Sequence, residues 1–273
     1  MEYESQIRLS VFIGLFVLLA LAELVVPRRS LRMSKVLRWF SNISMTTFNT
    51  ILVALLPLAA VAYAYTVEDA GGGLLNHLAL PAVVKVLITV IVFDCLIYWQ
   101  HVIFHKVPIL WRLHRVHHSD VDLDVTSGAR FHAIEIILSM LIKLAAVRII
   151  GAPALGILIF EVVLNGSAMF NHSNIRLPLK LDRLVRLFLV TPDMHRVHHS
   201  VHRDETDSNY GFNLPWWDYL FGTYTPQPRD GHDEMEIGLH EFREPREQYV
   251  DKLLVQPFIK PQSNGEESIT QDH

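Results

Sequence analysis

The chain has 273 residues, 51% of them hydrophobic, and its mean hydropathy of +0.26 exceeds that of ordinary soluble domains, so the composition indicates a membrane protein. The formal net charge of −4 at pH 7 gives no overall basic character and argues against a nucleic-acid-binding protein. Cys95 is the single cysteine, which excludes an intrachain disulfide and a cysteine-rich zinc or iron–sulfur site, so any bound metal must use His, Asp or Glu.

Four apolar stretches are long enough to be considered as membrane helices, since crossing a bilayer takes about 20 residues. Residues 9–26, 45–65 and 82–104 are each predicted to span the membrane as one helix. Residues 133–170 are predicted to form a helical hairpin, because the sequence GAP at 151–153 interrupts the apolar run. Charged residues within this stretch leave a shallower hairpin packed against protein as an alternative. The expected fold is all-α and multi-pass, with about four to five membrane helices.

The charge pattern around these stretches predicts which end of each helix faces the cytoplasm. An ALA sequence at 20–22 resembles a signal-peptide cleavage site, but the acidic leader and the five basic residues between 28 and 38 favour a retained helix with its N-terminus outside. The loop 66–81 has two acids and no Lys or Arg, as expected of an outside loop. Alternation of the spans then places the histidine-rich segments 101–118 and 195–199 together on the cytoplasmic side.

The stretch HRVHHS occurs twice, at 114–119 and 195–200. Residues three and four apart share a helix face, so each copy presents three imidazoles together, and HVIFH at 101–105 presents two more. Neutral imidazole binds zinc, iron, copper or nickel, and eight imidazoles are too many for one ion. The pattern therefore predicts a convergent histidine site for two metal ions.

Two other functions use the same histidines. The eight residues could form two closed structural zinc sites of four ligands each, although such sites need no apolar helices above them. A metal transporter is a further alternative, although its ligands would lie along a transmembrane path rather than in cytoplasmic segments. Both alternatives stay open from the residues alone.

The three histidine segments, read as HxxxH, HxxHH and HxxHH, resemble the histidine boxes of the fatty acid hydroxylase/sterol desaturase superfamily of membrane di-iron oxygenases. The similarity extends over residues 90–224 and includes DCLIYWQHVIFH at 94–105, RFHAIE at 130–135 and TDSNYGFNLPWWDYLFGTY at 206–224. Ala133 stands where the superfamily commonly has proline.

The resemblance implies a site of two iron ions, replaceable by zinc on overexpression, that uses O2 as co-substrate to oxidise a C–H bond of a lipid. Hydroxylation is the expected outcome, with desaturation on the same centre as the alternative. An external reductase or electron carrier is expected, because the chain shows no nucleotide-binding fingerprint and no iron–sulfur ligands. The membrane is expected to be a bacterial inner membrane or, otherwise, the endoplasmic reticulum. The ligands carried over from the boxes are His101, His105, His114, His117, His118, His195, His198 and His199, with His172 as a ninth ligand and His132 as a possible tenth.

A ligand histidine needs an acceptor that fixes its second ring nitrogen. Asp94 precedes His101 by seven residues and therefore lies on nearly the same helix face, so it is predicted to fill this role. Asn209 of the 206–224 segment is a weaker candidate. Arg115 and Arg196 lie between ligands and could help an electron donor bind on the cytoplasmic face, with binding of lipid phosphates as the alternative.

The chain divides into N-terminal membrane helices at 1–80, a histidine-box catalytic region at 81–225 and a polar C-terminal tail at 226–273. The tail is expected to be partly disordered, above all at 260–273, and not to carry the chemistry. Its histidines, including His232, are interpreted as surface residues, and Tyr210 and Trp217 as aromatics of the membrane interface. The sequence predicts no oligomeric state.

Overall fold

The structure is a computed structural model that describes residues 3–57 and 59–260. Within these residues the regular elements are helical, and β structure is limited to two isolated bridges, which confirms the all-α prediction. The α-helices of this part of the chain are α1 (Glu4–Val25), α2 (Lys35–Ala54), α3 (Ala60–Asp69), α4 (Ala82–Lys106), α5 (Pro108–His118), α6 (Ala133–Ile150), α7 (Ala154–His172), α8 (Leu179–Val185), α9 (Pro192–His198), α10 (Arg203–Thr206), α11 (Trp216–Phe221), α12 (Gly231–Glu234) and α13 (Val250–Val255).

Three of the described helices, α1, α4 and α7, are long and apolar enough to cross a membrane. The helix α6 has 18 residues but carries three charges, Glu135, Lys143 and Arg148. Lys143 and Glu161 of α7 form an ion pair between the two helices at 2.5 Å. Glu135, Lys143 and Glu161 are buried between packed helices, which matches the rule that intramembrane ionisable residues face protein rather than lipid, whereas Arg148 is exposed.

The prediction that 45–65 forms a single spanning helix is wrong. The helix α2 begins ten residues earlier, at Lys35, and ends at Ala54, three residues before Pro57, and α3 begins at Ala60. Proline lacks a donor N–H and disfavours helical geometry in the residue before it, so the helix stops short of it. The buried face of α2 is polar and includes Asn42 and Asn49, a feature that mean hydropathy does not show.

The hairpin predicted from the GAP sequence is present as α6 and α7. Gly151 ends α6 in the left-handed conformation, with φ of 69°, and Pro153 caps the start of α7. A Cβ atom on Gly151 would lie 2.6 Å from the carbonyl oxygen of Gly72, so the turn also needs glycine for close packing. The loop before α4 therefore packs against the turn of this hairpin.

The hydrophobic core nearest this turn lies between α3, α4, α6 and α7, where Phe93 and Phe160 pack with ring centroids 5.4 Å apart. The other ends of α4, α6 and α7 carry His101, His132 and His172, so histidines gather at the end of the helix bundle opposite the 151–153 turn. The stretch 28–38, which follows α1, also lies at this histidine end, because Arg28 pairs with Asp193 of α9 at 3.1 Å.

The residues after 225 do not form a loose tail as far as 260. The helix α13 packs against α2, and the residues after it reach α5, where Arg112 donates to the carbonyl of Pro257 at 2.6 Å. Leu253 and Gln256 are buried. His232, interpreted from the sequence as a surface residue, is also buried, because its ring packs beside Asp193. The prediction of disorder for 260–273 concerns residues that, after Lys260, lie outside the described part of the chain.

Candidate metal centre

The structure brings the eight box histidines and His172 together as two adjacent groups. Within each group, one ligand nitrogen from each ring lies within 4.8 Å of the others, and each residue is buried. The first group, called the five-histidine group, consists of His101, His105, His114, His118 and His198. The second, called the four-histidine group, consists of His117, His172, His195 and His199.

Each HRVHH segment contributes to both groups. On α5, His114 and His118 are four residues apart and join the five-histidine group, while His117 between them turns to the other group. In the second segment the assignment is reversed: His195 and His199 belong to the four-histidine group, and His198 belongs to the five-histidine group. The helical offset of three versus four residues thus separates neighbouring imidazoles into two sites.

In the five-histidine group, partners of Nδ1 fix several rings so that Nε2 points inward. His101 Nδ1 donates to the carbonyl of Tyr210 at 2.8 Å and His198 Nδ1 to that of Ser208 at 2.7 Å. His114 Nδ1 lies 2.7 Å from the carboxylate of Glu135. These oxygens act as acceptors, so Nδ1 carries the proton and Nε2 keeps its lone pair. The Nε2 atoms of all three rings are buried and have no hydrogen-bond partner.

In the four-histidine group, the Nε2 atoms face one another directly. His172 Nε2 lies 3.1 Å from His117 Nε2 and 3.0 Å from His195 Nε2. His195 Nε2 lies 3.2 Å from His199 Nε2. Because His172 Nδ1 donates to the carbonyl of Ala168 at 2.8 Å, its Nε2 has a lone pair there.

These distances fit metal coordination. Nitrogens bound to one ion at about 2.0–2.1 Å lie about 3.0–3.4 Å apart, which is the spacing of the facing Nε2 atoms. Buried imidazole nitrogens without partners would otherwise cost free energy, so the orphaned atoms of the five-histidine group point to the same conclusion. An all-imidazole donor set suits iron, zinc, copper or nickel, and the two groups have enough ligands for one ion each.

Burial keeps these imidazoles neutral. On α5 and α9, burial, followed by repulsion from the neighbouring rings, lowers the pKa of His117, His118 and His195 well below the ordinary value of about 6.5. Burial also lowers the pKa of His198 to about 3. Neutral rings are the form that binds metal, so the site is ready for metal at neutral pH.

A buried ionic network that the sequence analysis missed holds the end of α5. Arg38 of α2 forms two hydrogen bonds to Asp120, at 2.7 and 2.9 Å, and one to Asp124 at 2.6 Å. Arg130 donates to the carbonyl of Val116, one residue before His117, at 2.9 Å. Burial alone would raise the pKa of Asp120, but the charges of Arg38 and Arg130 outweigh it and hold that pKa below its usual value. The network fixes the loop that follows His118.

The segment 206–224 clamps the site through its backbone. Asn209 adopts φ of 49° and lies between Ser208 and Tyr210, whose carbonyls hold His198 and His101. Its side chain donates to Met194 of α9 at 3.0 Å, and so it supports the clamp without touching a histidine. Asp218 accepts the backbone N–H of Tyr210 and of Gly211, each at 2.8 Å. The Tyr210 ring is buried against His101 and His105 and does not lie at a membrane interface.

The structure contradicts the role predicted for Asp94. Its carboxylate accepts from Trp217 Nε1 at 2.7 Å and from the Leu214 N–H at 3.3 Å, and no contact with a histidine is found among the described residues. The 206–224 segment contacts both Asp94, through Trp217, and His101, through the Tyr210 carbonyl. Asp94 therefore acts on the histidines only through that segment.

His132 is not part of either histidine group. Its Nδ1 accepts from the Ile134 N–H at 3.3 Å as the cap of α6, and its Nε2 contacts the Leu254 carbonyl at 3.1 Å. Arg115 and Arg196 were expected on the surface, but both are buried. Arg115 donates to the carbonyls of Gln256 and Ile259, and Arg196 pairs with Asp193. Neither guanidinium is free to bind an electron donor.

The fold and the site define a helical protein with membrane-length helices and two adjacent, buried histidine groups, each of which could hold a metal ion. The family model for fatty acid hydroxylases matches residues 86–223, half of the 273-residue chain, and this range contains both histidine groups. The chain belongs to the fatty acid hydroxylase family.

Curated relatives of the chain are lipid hydroxylases and monooxygenases. Ornithine lipid hydroxylase of Rhizobium tropici is 31% identical over 158 residues, which cover 58% of this chain and 46% of that protein. Human alkylglycerol monooxygenase is 30% identical over 132 residues, covering 46% of this chain and 27% of that protein. Rat cholesterol 25-hydroxylase is 28% identical over 144 residues, covering 52% and 47%. The matched segments therefore span about half or less of each relative, and no solved structure matches the chain significantly.

Proposed function

We propose that this protein hydroxylates a C–H bond of a membrane lipid with O2 at a centre of two iron ions. The observation that carries the proposal is the pair of adjacent histidine groups, five and four residues strong, buried at one end of membrane-length helices. Relatives named ornithine lipid hydroxylase, alkylglycerol monooxygenase and cholesterol 25-hydroxylase support the same reaction type.

The nine histidines of the two groups would hold the metal, and iron, when bound there, would supply the activation of O2. The reaction consumes one O2, two electrons and two protons, and it yields a hydroxylated lipid and water. The chain itself orients the imidazoles through the carbonyls of Ser208, Tyr210 and Ala168 and through Glu135. Burial of these side chains excludes bulk water from the site.

The two electrons would come from a separate reductase or electron carrier. Because Arg115 and Arg196 are buried, that partner would have to bind through other residues of the histidine end. We place this end on the cytoplasmic face of the membrane, because the basic residues 28–38 lie beside α9 there. The membrane is a bacterial inner membrane in this proposal, or else that of the endoplasmic reticulum.

Lipid mass spectrometry tests the proposal and separates hydroxylation from desaturation. Membranes from cells expressing the protein should contain a lipid heavier by one oxygen atom than its precursor, and only when the cells receive O2. A lipid lighter by two hydrogen atoms would show a desaturase instead. The His117→Ala/His198→Ala variant, which removes one ligand from each group, should form neither product while still entering the membrane. Misfolding of that variant, with no oxidised lipid made by the unmodified protein, would support structural zinc.

A further inference from the structure

The helix α8 buries a charged side chain and exposes its leucines, which is the opposite of what is expected for a surface in water. Its buried residue is Asp182, which pairs at 2.7 Å with the buried Arg186 directly after the helix, and its leucines point outward. Leu179 is 70% exposed and Leu184 is 59% exposed. Phe188, just after the helix, is also 59% exposed. An isolated exposed leucine is ordinary, but this continuous apolar row with its ion pair turned inward is not.

The helix α11 extends this apolar row into one surface. Trp216 Nε1 donates to the carbonyl of Leu187 at 2.7 Å, and the Tyr219 hydroxyl donates to that of Arg186 at 3.2 Å. These bonds fix α11 against the end of α8. Leu220 adds a further side chain that is 68% exposed. The exposed apolar side chains of 179–189 and 216–221 are called the α8–α11 surface.

The α8–α11 surface continues the outer face of α4. Phe221 packs on Trp99 with ring centroids 4.8 Å apart, and Trp99 is itself exposed on α4. Since α4 is a membrane-length helix, the surface adjoins the apolar outer face of α4 near its histidine end. The helix α8 has seven residues and is too short to span a bilayer, so an apolar face on it suits a helix lying in the plane of the membrane.

The charges of the α8–α11 surface are of one sign. Lys180 and Arg183 are exposed beside the leucines. The acids of the same two segments, Asp182 and Asp218, are both buried. A face that combines leucines with exposed cations and no exposed acid suits the boundary between lipid headgroups and acyl chains, particularly where the headgroups are anionic.

We infer that the α8–α11 surface is embedded in the headgroup boundary of the leaflet at the histidine end, with Lys180 and Arg183 binding anionic lipid headgroups. This contact is independent of the proposed oxidation. It adds a membrane attachment in the plane of the bilayer, immediately before α9 and its histidines.

Nitroxide labels measure this contact directly. In a Cys95→Ala background, single cysteines replace Leu184, Phe188 or Leu220, and the labelled full chain is placed in vesicles of phosphatidylcholine and phosphatidylglycerol. Collision with O2 and with a water-soluble nickel complex then reports depth. The labels should collide more often with O2 than with the nickel complex, as expected about 5–10 Å below the headgroups.

Two control positions bracket the measurement. Leu87→Cys is on the exposed apolar face of α4 and reports a lipid-facing site, and Arg246→Cys is on the exposed C-terminal segment and reports water. If the labels at 184, 188 and 220 behave like the one at 246, the inference is wrong. Strong spin–spin coupling between chains would also overturn it, because a second copy would then cover the surface.

A second comparison tests the cations. The Lys180→Gln/Arg183→Gln variant should place the label at 184 nearer the water than the parent does in vesicles containing phosphatidylglycerol. The two should agree in vesicles of phosphatidylcholine alone. If the label at 184 lies at the same depth in the variant and in the parent even in vesicles containing phosphatidylglycerol, the part of the inference that concerns anionic headgroups is wrong.

Discussion

His118 and His199, the last histidines of the two repeated segments, stack with ring centroids 4.5 Å apart and planes 20° apart, although they belong to different histidine groups. The stacking shows how closely the two candidate metal positions adjoin. Each HRVHH segment supplies two rings to one group and one ring to the other, so both copies of the segment are needed to complete the two groups. Loss of either segment would therefore damage both groups.

The first prediction concerns metal content. The purified protein should hold about two metal ions per chain, because the two groups are separate sets of ligands. The His172→Ala/His195→Ala variant removes half of the four-histidine group and leaves the five-histidine group intact, so its content should fall to about one ion. Elemental analysis by mass spectrometry measures this. His240→Ala, at an exposed position, is the control and should keep the parent's content. A parent with one ion would contradict the assignment of two positions.

The second prediction concerns Glu135, which lies 2.7 Å from His114 Nδ1. Glu135→Ala leaves that nitrogen without its acceptor, and loss of such a partner typically costs about 10- to 100-fold in metal affinity or activity. Glu135→Gln keeps an acceptor oxygen and should have a much smaller effect. Competition with a metal chelator gives the affinities. Equal affinities for the Ala and Gln variants would show that Glu135 does not orient His114.

The eight histidines of the three boxes could be predicted from the sequence because their spacing is a local property of helices, whereas His172 came only from the resemblance to the family. Offsets of three and four residues place imidazoles on a face regardless of what packs against it. The turn at Gly151 is local in the same way. The acceptors of the ring nitrogens are different, because most are backbone carbonyls, such as those of Ser208 and Tyr210, which leave no mark in the residue pattern.

Apart from the helix end before Pro57, the incorrect expectations depended on long-range packing. Asp94 was predicted to fix a ligand histidine, but its partner Trp217 is 123 residues away in the sequence. The helix α2 was obscured because its buried face is polar, with Asn49 donating to the carbonyl of Phe131 at 2.8 Å. The segment after 225 is polar in composition, yet Gln248 and Gln256 are buried against α5 and the residue after it. A segment whose polar side chains are buried and hydrogen-bonded inside the protein has the same composition as a segment exposed to water.

The third prediction concerns pH and the metal-free fold. The folded-state pKa values of His117, His118, His195, His198 and His199 lie below the ordinary value of about 6.5, chiefly through burial. As pH falls below about 6.5, the unfolded chain binds protons that the folded chain does not, so the free energy of unfolding decreases with decreasing pH. As the pH falls below about 6.5, the slope contributed by each such histidine rises towards a limit of about 1.4 kcal/mol per pH unit.

Chemical unfolding of the metal-free protein in detergent, at several values between pH 7 and pH 5, measures this slope. Bound metal should shift the loss of stability to lower pH, because protons must then displace it. A metal-free protein equally stable across this range would show that these rings are not buried and neutral.

The fourth prediction concerns the sides of the membrane. Cysteines at Lys106 and Arg203, both exposed near the histidines, should react with an impermeant reagent from the cytoplasmic side. A cysteine at Leu74, exposed in the loop that packs near the 151–153 turn, should react only from the other side. All three belong in a Cys95→Ala background. Labelling of Lys106→Cys and Arg203→Cys from opposite sides would separate the two repeated segments, which the shared site forbids.

The fifth prediction concerns Arg38, the buried partner of Asp120 and Asp124. Arg38→Ala removes the cation that binds both buried carboxylates and leaves only Arg130, 3.9 Å from Asp120, and breaking a buried pair in this way costs about 3–5 kcal/mol of folding stability. Because Asp120 follows His118 by two residues, the end of α5 should also loosen and metal affinity should fall. Arg38→Lys keeps the charge but not the two-pronged geometry and should be intermediate. Arg246→Ala breaks the exposed pair with Asp251 and should leave stability unchanged within error. Unfolding of the metal-free variants measures the stabilities, and chelator competition measures the metal affinities. An Arg38→Ala protein as stable as Arg246→Ala would mean that the network does not hold the site.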